Sequence, residues 1–172
     1  MDILNHEFLG NSITEYLYFL GSILIGLLLI IPVRIFISKL LFKLFGKGDN
    51  SEFNSLLNKP IKYFLILLVL YFSAQFISLP DFLISTGEDG FGLSNVLYKG
   101  YNLLLLITIF WILSRSVDFI GFKLKNKALE TESKFDDQLI PFAIDTAKVL
   151  IIVLCVVVIL GNVFGVNVTA LV

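Results

Sequence analysis

Long apolar runs, separated by short charged stretches, dominate the chain. A bilayer core of about 30 Å takes roughly 20 mostly apolar residues in helical form. Four stretches meet or approach that length: residues 16–33, 63–79, 97–122 and 137–164. No charge falls between Glu15 and Arg34, and none follows Lys148. Arg115 and Asp118 interrupt the third stretch near its end. Each run is apolar all round, as a helix in lipid or in a helical bundle should be. Alternating ten-residue segments, the mark of a membrane barrel, are missing. The pattern predicts an all-α membrane protein with four transmembrane helices.

Composition agrees. Of 172 residues, 57% are hydrophobic and 16% charged, against roughly 45–50% and 25% in soluble domains. The mean hydropathy is +0.91. So much apolar side chain cannot be buried in a domain of this size. The same figures exclude a disordered chain. A single cysteine, Cys155, excludes a disulfide scaffold. A net charge of −1 without a basic face argues against nucleic acid as a partner.

Charge placement orients the helices. The segment before the first helix has no Lys or Arg, and the second connection has only Lys99. The first connection carries six cations, Arg34, Lys39, Lys43, Lys47, Lys59 and Lys62. The third region carries another six, Arg115, Lys123, Lys125, Lys127, Lys134 and Lys148. The positive-inside rule then places the N-terminus, the second connection and Val172 outside. The first helix reads as an anchor and not a cleavable signal, because Asp2, Glu7 and Glu15 have the wrong sign for a signal's start.

Several local features refine this picture. RIFISKLLFKLF at 34–45 puts Lys39 and Lys43 on one helical face. Such a segment either marks the inner helix end or lies as a lever along anionic headgroups. Pro32 can bend the chain just before it. Residues 46–51 form a loop by composition, and Pro60 suits the start of the second helix. Residues 87–92 read as an external turn, without the spacing of a calcium loop. Asp136 or Asp137 can cap the fourth helix, with Pro141 in or just past its first turn.

No catalytic constellation is visible, and the chain is not expected to be an enzyme. His6 has no partners at metal-ligand spacing, so neither a metal nor a cofactor is expected. Cys155 reads as a small apolar filler. Polar groups within the spans matter more, because burying them is costly. Arg115 and Asp118, three apart, can pair, with Arg115 reaching back to the headgroups. Asp145 and Lys148 repeat that spacing. Gln75 and Asn102 can bond between the second and third helices. Acids near helix ends, and not at the midplane, count against an ion-coupled transporter.

The last stretch, DDQLIPFAIDTAKVLIIVLCVVVILGNVFGVNVTALV at 136–172, carries a family signal. Asp137, Leu139, Pro141 and Lys148 precede a long Val/Ile/Leu run. The run closes with Leu160-Gly161-Asn162 and Gly165-Val166-Asn167-Val168-Thr169-Ala170-Leu171. This resembles the segment leading into the pore in the MscS family, the mechanosensitive channels of small conductance. The match spans 37 of 172 residues.

The resemblance implies a homo-oligomeric channel, usually a heptamer, in a bacterial inner membrane. It opens under tension and releases solutes on osmotic downshock. Residues 1–135 would be a peripheral sensor in contact with bilayer lipids, with Arg34, Lys39, Lys43, Arg115 and Asp118 as lipid- and tension-coupling candidates. Residues 136–172 would hold the helix beside the pore, with Asp137, Pro141, Asp145 and Lys148, and an external turn at Gly161 and Gly165. The family's pore helix would follow Val172, so a longer natural chain is expected. Composition and topology alone fit a non-conducting four-helix scaffold or assembly partner equally well.

Overall fold

The computed structural model describes residues 7–45, 50–80, 92–128 and 136–167. A short hairpin, β1 (Glu7–Phe8) and β2 (Asn11–Ser12), precedes four helices. These are α1 (Ile13–Phe45), α2 (Asn50–Ala74), α3 (Leu93–Ala128) and α4 (Asp136–Asn162). Each contains a segment long and apolar enough to cross a membrane. The chain is an all-α, multi-pass membrane protein. The substantial helix contacts run in chain order: α1 on α2, α2 on α3, α3 on α4.

The hairpin is the one element the hydropathy pattern does not announce. Its turn, Leu9-Gly10, has φ of 52° and 80°, both positive, as a two-residue type I′ turn requires. Asn11, fully buried, ties it to the far end of α2. Its Nδ2 donates to Ser78 O at 2.8 Å, and its Oδ1 accepts from Ser78 N at 2.7 Å. The first helix then starts on a capping box. Glu15 Oε2 accepts from Ser12 N at 2.7 Å, and Ser12 Oγ accepts from Glu15 N at 3.3 Å.

Helix α1 runs unbroken through Pro32 to Phe45. The segment at 34–45 therefore continues α1 and is not a separate helix. Ser38 is buried, and Ile37 and Phe42 pack against the core, which holds this stretch on α2. Helix α2 also departs from expectation. It begins at Asn50, so Asn50 and Ser51 are helical, and it ends at Ala74. Pro60 is buried in its interior and not at its start. The cause is tertiary: Phe53, Leu57, Ile61 and Leu65 form one i, i+4 row that closes against its neighbours. That packing outweighs the hydrogen bond Pro60 forfeits. Residues 46–49, the rest of the expected loop, lie outside the described residues, as do His6 and all but Gly92 of the turn expected at 87–92.

The core sits where α1, α2 and α3 meet. Phe53 and Phe119 cross edge-to-face with centroids 4.9 Å apart, and Phe42 adds a third ring 5.6 Å from Phe53. Farther along, α2 and α3 are joined by stacked rings, Tyr63 on Trp111 and Tyr71 on Tyr101. The Tyr101 hydroxyl donates to Leu67 O at 3.1 Å. This bond takes the place of the expected Gln75–Asn102 contact; among the described residues no hydrogen bond joins those two side chains.

Two glycines set the helix spacing. A Cβ on Gly26 of α1 would stand 2.5 Å from Val69 Cγ1 of α2. One on Gly121 of α3 would overlap the side chain of Ile144 on α4. Close backbone approach at small residues is how helices gain dispersion contact in lipid. Val69 and Ile144 are both β-branched and stiff at χ1, and a Cβ on Gly121 would meet Ile144 Cγ1 at 2.7 Å as well as the chain end beyond it. Gly26→Ala and Gly121→Ala are therefore each expected to cost about 1–3 kcal/mol. Unfolding titrations of both variants in mixed micelles check this.

Candidate functional site

The α3–α4 seam carries the charged centre of the molecule. Helical spacing brings Arg115 and Asp118 to one face of α3, and Arg115 Nη1 lies 3.0 Å from Asp118 Oδ2. The other carboxylate oxygen, Oδ1, meets Lys148 Nζ from α4. Asp118 is thus shared by two cations on two helices. Its side chain is 17% exposed, against 43% for Arg115 and 33% for Lys148. The acid is the enclosed member and the cations are its partly open flanks. Gly121, one turn beyond Asp118, lets α4 come near enough for Lys148 to reach.

This corrects the reading of Lys148 from spacing alone. Its partner is Asp118 on the neighbouring helix, while Asp145 is exposed and, among the described residues, forms no ion pair. Lys148 lies about 15 Å along the axis from Gln138, at ~1.5 Å per residue, where the apolar span of α4 begins. The bridge therefore sits within apolar helix and not at its end. A lone cation there would be costly, and pairing offsets that cost.

The other predicted residues separate into two groups. Arg34, half-buried, and Lys39, exposed, line a cleft between α1 and α2, and Lys43 is exposed one turn on. On α4, Pro141 is exposed in the second turn. Gly161 is helical, in the last turn of α4, and not part of the turn itself. The turn is centred on Gly165 at φ 68°, where Val166 N donates to Leu160 O at 3.0 Å. Asp137 falls in the first turn of α4, and its side chain lies outside the described residues.

Asn11, Ser38 and Tyr101 are the residues that sequence reasoning passed over. The S-x-x-E box at Ser12 and the Leu9-Gly10 turn could have revealed the hairpin. Nothing in the sequence marks Tyr101 or Ser38, whose roles depend on what packs against them. Among the described residues no group of His, Cys, Asp and Glu side chains is placed to hold a metal. Compared with protein-family models, curated proteins and solved structures, the chain matches none.

Asp118→Asn leaves Lys148 and Arg115 facing an amide within apolar surroundings. A loss of about 1–3 kcal/mol is expected. The exchange Asp118→Lys with Lys148→Asp should recover part of what Asp118→Lys alone loses. Thermal melts of the purified variants in one detergent measure both effects.

Proposed function

We propose that this chain is the lipid-facing, tension-sensing part of a homo-oligomeric ion channel similar to the MscS family. On this reading it sits in a bacterial inner membrane with its N-terminus outside and opens to release solutes on osmotic downshock. The end of the chain, Asp136 to Val172, resembles the family's approach to the pore. The observation that carries the reading is the open, sequential packing of the helices. Helix α4 is seated on α3 at Gly121 and Asp118, while Phe142, Val149, Ile152 and Leu154 remain more than half exposed. Such a helix has a free apolar face for copies of itself or for lipid, and a fixed link to the outer helices.

Tension acts on that arrangement through area. A state with larger in-plane area gains free energy in proportion to tension, which shifts the population toward it. Helix α4, whose substantial contacts are with α3, can shift without dismantling the core shared by α1, α2 and α3. The Asp118–Lys148 bridge would carry displacement of α3 to α4. Lys39 and Lys43 would couple α1 to anionic lipid, each cation adding roughly 1 kcal/mol of attraction.

Suction on membrane patches bearing the native gene product tests the proposal. Stepwise currents that appear above a threshold tension are expected. Patches that hold the protein yet stay silent up to lysis would overturn the channel reading and leave a membrane scaffold. In a conducting protein, reversing both charges (Lys39→Glu with Lys43→Glu) is expected to shift the threshold. An unchanged threshold would remove α1 from the sensor.

A further inference from the structure

One polar cleft among the described residues is built for an anion. It lies between α1 and α2, has a volume of about 490 Å³, and is walled by Arg34, Ser38 and Lys39 on one side and Asn54 and Asn58 on the other. Phe42 and Phe53 form its apolar base. Among the described residues no acid lines it. In the sequence around it, residues 34–62 carry six cations and only two acids, Asp49 and Glu52.

Ser38 supplies an independent sign. The residue is 93% buried, at 7% relative exposure, and among the described residues its Oγ has no hydrogen-bond partner. Ser73 of α2 is also buried without a partner among the described residues, but the apolar cleft it lines holds no cation. Ser22, Thr108, Ser116 and Thr146 each donate to a backbone carbonyl three or four residues back, at 2.8–2.9 Å. An unsatisfied buried hydroxyl is costly, and the loss is recovered when the Ser38 side chain turns toward a ligand in the cleft and donates a hydrogen bond to it. Arg34 can present a fork of donors, and Lys39 a mobile point charge. Asn54 and Asn58 add neutral donors. The set matches a tetrahedral anion with several acceptor oxygens.

Position selects the source. The apolar span of α1 ends at Leu40, so Arg34–Lys39 stand where apolar helix gives way to cations. We infer that this cleft binds the phosphate of an anionic membrane phospholipid, the headgroup held by Arg34, Ser38 and Lys39 against Asn54 and Asn58. The inference rests on the membrane-spanning fold and not on the channel reading, so the two stand or fall separately.

Phosphatidylglycerol and phosphatidylcholine, titrated onto the delipidated full chain in neutral detergent, are the probes. Native mass spectrometry counts bound lipid. Saturable retention of one phosphatidylglycerol is expected, with phosphatidylcholine retained about 10-fold more weakly or worse. Arg34→Gln with Lys39→Gln should weaken phosphatidylglycerol about 10-fold or more, from roughly 1 kcal/mol for each cation. Ser38→Ala should weaken it several-fold while leaving the melting temperature of the lipid-free protein unchanged or raised. Lys59→Gln with Lys62→Gln removes equal charge from exposed positions outside the cleft, and should change binding by less than twofold. Three outcomes would overturn the inference: no saturable lipid, equal loss in the two double variants, or complete displacement by millimolar inorganic phosphate. The last would assign the cleft to a soluble anion instead.

Discussion

The edge-to-face contact of Phe53 with Phe119 is the joint on which the helix arrangement depends. Both rings are essentially unexposed, and Phe42 closes against them from α1. Large interlocked rings are worth more than their area alone, through the fit of ring edge to ring face. Elsewhere the fold is thinly packed. Only 6% of the most apolar window of α1 is buried, and none of that of α4. In lipid this is no defect, because acyl chains solvate Leu and Val as well as another helix does. It means that orientation is decided at a few contacts: the phenylalanine cluster for α1 to α3, and Gly121 with Asp118 for α4.

The four spans were legible because length and apolarity are one-dimensional properties. A run of uncharged residues from Tyr16 to Val33 needs no knowledge of its neighbours to be read as a span. The errors fall where a neighbour decides. Pro60 looked like a helix start, yet the Phe53–Leu57–Ile61 row keeps α2 helical on both sides of it. Lys148 was read against Asp145 on its own helix, since spacing speaks only of local pairs. Its partner is 30 residues away, brought within reach by the missing side chain at Gly121. Arg115 and Asp118, by contrast, pair as their spacing implied.

The polar residues divide by what satisfies them. Asn11 makes two hydrogen bonds to the backbone of Ser78 and closes the hairpin end of the fold. Asp118 is satisfied by two cations. Ser38 is left with no partner inside the chain. Sequence alone marks Asp118, by its spacing to Arg115, and leaves Asn11 and Ser38 undistinguished. Their difference lies in geometry, and it separates residues that hold the fold from one that can receive a ligand.

The length of the helices has a consequence of its own. At ~1.5 Å per residue, the 33 residues of α1 and the 36 of α3 run about 50 Å and 54 Å. The hydrocarbon core they cross is about 30 Å thick. Some 20 Å of each helix must therefore tilt within the bilayer or stand clear of it. The phenylalanine joint, with the Asn11 tether at the other end of α2, ties these rods to their neighbour, so α1 cannot adjust its inclination alone. Where tilt takes up the excess length, the joined helices lean together, and a change in bilayer thickness becomes a change in angle.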